Sequence, residues 1–285
     1  MSRTYYSYCK INLGLEVLGR RPDGYHDLNT IFYRLDEPFD RFEVDLSDRY
    51  SLRVEGSSVP SDNSNLVTRA IRACAEVMGE QMPGLSISLQ KRVPVGAGLG
   101  GGSANAALAI KIFSDLVAPI PTETQFNIAG SLGADVPFFL LESRMALAGG
   151  IGDILTPIEF VLANPIVLVK PLEISINTAE AYRRLDEIGE RSNATELVAV
   201  LRQPIAEWKY GLRNDFEPIA LSIAPQLETL RDDLERSGAL FVRISGSGSA
   251  FFAIYSSIAD AETAVAQQRA DPTRAVYLNP GLPVG

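Results

Sequence analysis

The chain has 285 residues, 46% of them hydrophobic and 21% charged, enough for one large domain or two ordinary ones with cores of their own. Its net charge of −9 argues against general affinity for nucleic acid or anionic membrane, because a surface that binds phosphate backbones or headgroups needs a positive excess. No apolar run approaches the roughly 20 residues of a membrane-spanning helix, and the opening Met1 to Tyr6 lacks the charged-then-apolar pattern of a secretory leader, so a cytoplasmic protein is expected.

The first element, Tyr8 to Val17, alternates strictly. Cys9, Ile11, Leu13, Leu15 and Val17 share one face and Lys10, Asn12, Gly14 and Glu16 the other, which predicts a half-buried strand. The turn cluster Gly19 to Gly24 ends it, and Tyr25-His26 restart an extended run. Strand-like stretches follow at Phe42 to Leu46 and Tyr50 to Glu55, then a polar loop at Ser61 to Asn65, an amphipathic helix from Leu66 to Met78 and a strand from Leu85 to Leu89. Cys9 and Cys74 fit neither CxxC nor zinc spacing and read as buried thiols.

The densest glycine cluster, Gly96, Gly98, Gly100, Gly101 and Gly102, comes next and leads into an Ala-rich helix from Ala104 to Leu116. Thr122 to Gln125 fits a capping box, predicting a short helix that stops at Gly133. Asp135 then lies between that helix end and Pro137. From Ile166 the order is strand, helices at 178–184 and 225–236, strands at 240–245 and 250–255, helix at 259–269 and strand at 275–278. That order suits a sheet with helices on one face, an α+β arrangement of ferredoxin-like type. The boundary falls between Gly149 and Pro165, dividing the chain into domains 1–158 and 159–285.

Glycines massed before a helix imply that backbone comes close to something or takes positive φ. Phosphate oxygens suit such a loop, because its amides and the helix dipole point at them. Ser103 adds a hydroxyl for a phosphate or for Mg²⁺. The spacing is neither that of a P-loop, which needs Lys and Ser/Thr after the last glycine, nor that of a dinucleotide-binding unit. In an acidic protein an anionic ligand needs local positive groups, and Lys10, Arg20, Arg21, Lys91 and Arg92 are the candidates. Taken singly, each feature has a plainer reading: a tight strand-to-helix connection, a solvated Lys10, a capping Asp135, a structural His26, a hairpin turn at Gly246 to Gly248.

Pro94-Val95-Gly96-Ala97-Gly98-Leu99-Gly100-Gly101-Gly102-Ser103-Ala104 closely resembles the ATP loop of the GHMP kinases, the superfamily of galactose, homoserine, mevalonate and phosphomevalonate kinases. Lys10-Ile11-Asn12-Leu13 with Gly19 to His26, and Gly133 to Phe138, resemble the branch that phosphorylates a CDP-linked methylerythritol. Gly246-Ser247-Gly248-Ser249 is similar to the family's third glycine loop.

The resemblance covers nearly the whole chain. It implies a two-domain fold, an N-terminal ribosomal-protein-S5-like α/β domain and a C-terminal ferredoxin-like α+β domain, with ATP and Mg²⁺ as cofactors and a small-molecule substrate, and leaves the oligomeric state open. It further implies that Lys10 and Asp135 are catalytic. Asn65, Leu66, Pro94, Gly96, Gly98, Leu99, Gly100, Gly101, Gly102 and Ser103 would bind ATP, and Asn12, Tyr25, His26, Gly246, Ser247 and Gly248 would bind substrate. Relatives often carry a second polar residue after Ser103 where this chain has Ala104.

These residue types suit phosphoryl transfer, which asks a protein mainly for positioning and charge stabilisation. Asp135 can take the proton of an attacking alcohol while the Lys10 ammonium stabilises negative charge on its oxygen. Lys10 and Asn12, two apart on a strand, share a face about 7 Å apart. The aromatic face of Tyr25 and the imidazole of His26 suit a nucleobase.

Overall fold

The computed structural model describes residues 2–189 and 193–281. Packing groups them into two compact units. One takes residues up to 9, 38–95 and 100–142; the other takes 10–37, 96–99 and 143 onward. Two long paired strands, β1 (Arg3–Arg20) and β2 (His26–Leu46), contribute to each.

In the first unit the Arg41–Leu46 stretch of β2 pairs antiparallel with β4 (Leu85–Gln90), which pairs parallel with β3 (Ser51–Glu55). Alternation sends Phe42, Val44, Leu85, Ile87 and Leu89 into the core. Helix α1 (Leu66–Val77) buries Val67, Ala70, Ile71, Cys74 and Ala75, the i, i+3, i+4 stripe of an amphipathic helix. It packs on α2 (Gly101–Leu116), whose Ala104, Ala106, Ala107 and Ala109 permit close approach.

The capping box expected at Thr122 does not form. Helix α3 (Thr122–Leu132) takes Pro121 as N-cap without a side-chain bond, and Gln125 Nε2 instead donates to Ile120 O at 2.9 Å. A proline one residue earlier moved the helix start and left Thr122 inside it. A 3₁₀ turn at Pro137–Leu140 follows.

In the second unit Thr30 to Tyr33 of β2 pair with β5 (Met145–Gly149), which pairs with β6 (Ile154–Pro157). These strands occupy part of the stretch expected to hold only the boundary. A four-stranded antiparallel sheet contains β7 (Ile166–Pro171) and is completed by β8 (Phe241–Ile244), β9 (Phe251–Ile254) and β10 (Arg274–Asn279), in the order β10-β7-β9-β8. Between β7 and β8 run α4 (Thr178–Ile188), α5 (Leu197–Leu201), α6 (Glu217–Ile223) and α7 (Gln226–Arg236); α8 (Ile258–Arg269) precedes β10.

Val167, Val169, Val242, Phe251 and Ala253 meet Leu185, Phe216, Leu227, Leu230 and Ala264 in one core, joined by Leu15, Val17 and Leu28 from the first two strands. Trp208, fully buried in a 3₁₀ turn at Ile205–Tyr210, packs edge-on against Phe241 at 5.9 Å between ring centroids. Among the described residues no helix is long and apolar enough to cross a membrane.

The half-buried strand expected at Tyr8 to Val17 is buried on both faces. Lys10, Asn12 and Glu16 are as enclosed as their apolar neighbours. The reason is hydrogen bonding: Glu16 alone accepts from Asn29 Nδ2, Thr195 N and Thr195 Oγ1 at 2.5 to 2.8 Å.

Candidate active site

The polar face of β1 organises a cluster of polar side chains in the second unit. Lys10, 4% exposed, donates from Nζ to Asn12 Oδ1 at 2.6 Å and lies 4.7 Å from the centroid of the Phe32 ring. Asn12 Nδ2 donates to Thr30 Oγ1 at 2.8 Å, and that hydroxyl donates on to Gly14 O at 2.5 Å. A chain of side-chain bonds thus fixes the rotamer of each polar residue.

The backbone of the same strand is tied to both glycine loops of this unit. Lys10 N donates to Leu99 O at 3.0 Å, and Asn12 N donates to Ser245 Oγ at 3.3 Å. Ser245 Oγ donates to Gly98 O at 2.9 Å. Gly98 has φ +76°, and a Cβ there would stand 1.9 Å from Ser245 O, so only glycine lets the two backbones meet.

The Gly246 to Ser249 loop is anchored from beneath. Asn214 Nδ2 donates to Ile244 O and Gly246 O, each at 2.9 Å, and Ser247 Oγ bonds Thr178 Oγ1 at 2.9 Å. Ser249 Oγ donates to Ile174 O, which also accepts from Lys170 Nζ. Burial pushes the Lys170 ammonium below the usual lysine value.

In the first unit Gly100, at φ +66°, begins α2 without any side-chain cap, so the first-turn amides are not covered by a capping side chain. Gly101 sits against Val93 Cγ1 and Lys91 Nζ, at 2.8 and 3.0 Å from where a Cβ would be. Lys91 pairs with the fully buried Asp40, whose other oxygen accepts from Arg92 N and Val93 N at 2.7 and 2.8 Å. That carboxylate shapes the turn leading into Pro94. Asn65 caps α1, accepting from Val67 N at 2.9 Å and donating to Pro60 O at 2.6 Å, with Leu66 opening the helix. Asp135 is half-buried in the turn after Gly133, where Val136 N donates to Gly133 O at 3.1 Å.

A cavity of about 670 Å³ opens beside Tyr25 and His26 in the second unit. Tyr25 is exposed and His26 buried. The imidazole stacks on Tyr182 with ring centroids 4.6 Å apart and planes 19° from parallel, and its Nε2 lies 2.8 Å from Asp186 Oδ1.

Within the second unit, therefore, Lys10, Asn12, Gly98, Leu99 and Gly246 belong to one hydrogen-bonded assembly, and Tyr25 and His26 line one cavity. Sequence reasoning missed Thr30, Asp40, Tyr182, Asp186 and Ser245. A signal existed for some of them: Thr178, Tyr182 and Asp186 recur at four-residue spacing along one helix face, and Ser245 adjoins the Gly-Ser-Gly motif.

Residues 65–143 match the family "GHMP kinases N terminal domain" and residues 197–270 match "GHMP kinases C terminal". The 4-diphosphocytidyl-2-C-methyl-D-erythritol kinase of Chloroherpeton thalassium is 39% identical over 270 residues, 93% of each chain. That of Porphyromonas gingivalis is 40% identical over 252 residues, 86% of this chain and 89% of its own. A crystal structure of 4-(cytidine 5'-diphospho)-2C-methyl-D-erythritol kinase aligns over 98% of both chains at 33% identity with a TM-score of 0.81. The homoserine kinase of Cytophaga hutchinsonii, at 19% identity and a TM-score of 0.72, shares the fold. Matched by both family models and by relatives along most of its length, this chain belongs to the GHMP kinase family, in the branch of the 4-diphosphocytidyl-2-C-methyl-D-erythritol kinases.

Proposed function

We propose that the chain transfers the γ-phosphoryl group of ATP to the 2-hydroxyl of 4-diphosphocytidyl-2-C-methyl-D-erythritol, giving the 2-phosphate and ADP, in the non-mevalonate route to isoprenoid precursors. The observation that carries the kinase reading is the Ser245 junction. One hydroxyl accepts from Asn12 N and donates to Gly98 O, so the lysine strand and two glycine loops form a single rigid support. The acceptor alcohol is supported by the relatives' names and by a cavity with aromatic and imidazole walls.

In this reading Asp135 takes the proton of the attacking hydroxyl and Lys10 stabilises the negative charge left on its oxygen, with Asn12 fixing the direction of the ammonium. The loop from Pro94 through Gly96, Gly98, Leu99 and Gly100 to Gly102, with Ser103, holds the phosphates through backbone amides; Asn65 and Leu66 stand on the adenine side. Tyr25 and His26 receive cytosine, and Gly246, Ser247 and Gly248 face a substrate phosphate. Among the described residues no three carboxylate, imidazole or thiol side chains gather as a metal cage. Ser103 would be this chain's contribution to a Mg²⁺ ion that arrives on the nucleotide. Such an ion supplies charge neutralisation on the phosphates. We read the enzyme as cytoplasmic, where ATP is available, and the boundary at 158–159 as separating the spans matched by the two family domains.

The test is to incubate the purified protein with Mg-ATP and the CDP-linked alcohol, against homoserine, mevalonate and galactose. ADP formation with the CDP-linked alcohol alone is expected; none above a minus-substrate control would overturn the reading.

A further inference from the structure

We infer that Asp186 fixes which nitrogen of His26 carries hydrogen, and so makes the cavity select a base edge that offers an amine over one that offers a carbonyl. The inference rests on the nucleobase reading of that cavity given above.

His26 Nε2 and Asp186 Oδ1 are 2.8 Å apart, with the imidazole side chain 7% exposed. A carboxylate oxygen accepts, so the hydrogen between them belongs to Nε2. In the neutral ring the other nitrogen, Nδ1, is then an acceptor. Among the described residues the ring makes its side-chain hydrogen bond through Nε2. The ring plane is held by the stack on Tyr182, itself set edge-on to Phe216 at 4.8 Å, and the Asp186 bond sets which edge of the imidazole faces the carboxylate. Arg20 Nη1, 3.8 Å from Asp186 Oδ2, anchors the carboxylate from the other side.

A fixed acceptor discriminates by chemistry. Cytosine carries an exocyclic amine where uracil carries a carbonyl. The amine donates to Nδ1, whereas the carbonyl would oppose one acceptor to another and leave both unsatisfied, a difference of about 10- to 100-fold in affinity. Asp186 is thus a positioning residue for specificity, acting through His26.

His26 is the only histidine in the chain, so its ring signals need no assignment. Long-range ¹H–¹⁵N spectra of uniformly labelled protein at about pH 8, above the usual histidine range, should show Nε2 as the protonated, pyrrole-type nitrogen and Nδ1 as pyridine-type. CDP should bind at least about tenfold more tightly than UDP. In Asp186→Asn, whose amide can donate as well as accept, the single tautomer and the CDP preference should both be lost, with the kinetic effect falling on KM for the CDP-linked substrate rather than on kcat. Asp186→Glu should restore the preference in part. A wild-type ring protonated on Nδ1, or an undiminished CDP preference in a folded Asp186→Asn protein, overturns the inference. If CDP does not bind although the ring carries hydrogen on Nε2, the nucleobase reading itself falls and the selectivity with it; the spectrum tells the two failures apart.

Discussion

An ammonium buried as fully as that of Lys10 must recover through local contacts the hydration it gives up, and Asn12 Oδ1 with the face of Phe32 supplies part of that return. The same contacts hold the ammonium in one direction. Asp135 is expected to carry the proton transfer, so Asp135→Asn should lower kcat by about 10²- to 10⁴-fold while ATP affinity holds; steady-state kinetics with nucleotide titrations would check this, and equal losses in both would contradict the role. A second residue-scale expectation concerns Glu217. Burial pushes its carboxyl above the ordinary value of 4.5, against the opposing pull of Arg243 and a hydrogen bond from Ile244 N. The folded chain therefore holds this proton to higher pH than the unfolded chain, and the stability it contributes is full below 4.5 and lost as pH rises through the raised value. Glu217→Gln cannot titrate, so its thermal midpoint should gain on the wild type as pH rises above 4.5 and through the raised value. A pH-independent difference would remove the assignment.

At the scale of elements, the glycine loop is where sequence and structure agree most closely, because glycine's cost has to be offset by a close approach or a positive φ. Gly98 meets both conditions, and Gly98→Ala should cost more than about 1 kcal/mol and raise KM for ATP. Gly130, in α3 with open space around its missing Cβ, provides the contrast: Gly130→Ala should stabilise by about 0.5–1 kcal/mol. Urea unfolding of the two variants side by side would test this, and equal effects would refute it. Asn65 caps α1, so Asn65→Ala should cost about 1 kcal/mol and Asn65→Asp should recover most of it; a denaturation midpoint unchanged by Asn65→Ala would deny the cap its role.

Strands and helices with clean periodicity, such as the start of β1, α1 and the β8–β9 pair, were legible in the sequence. The short helices α5 and α6 were not, since five to seven residues carry too little pattern to separate from loop. Partners such as Ser245 and Asp40 were invisible for another reason: their roles depend on residues 147 and 52 positions away.

At the scale of the molecule, the two compact units do not follow the order of the chain. The second unit's core includes Leu15, Val17 and Leu28 as well as residues beyond 166. A fragment 159–285 lacks those three side chains, and it should show no cooperative thermal transition by circular dichroism; a sharp unfolding curve from that fragment would mean its core is self-sufficient. Nothing local in the sequence announces this sharing, because β1 and β2 read as ordinary strands and only their partners reveal how far they reach.

The bonds from Lys10 N to Leu99 O and from Asn12 N to Ser245 Oγ make β1 a kind of vernier, read against two marks at once. A slip of one residue would bring Ile11 to where the ammonium stands and misalign both marks together. Insertions or deletions within β1 should therefore be poorly tolerated, so length variation among related chains should spare 10–17.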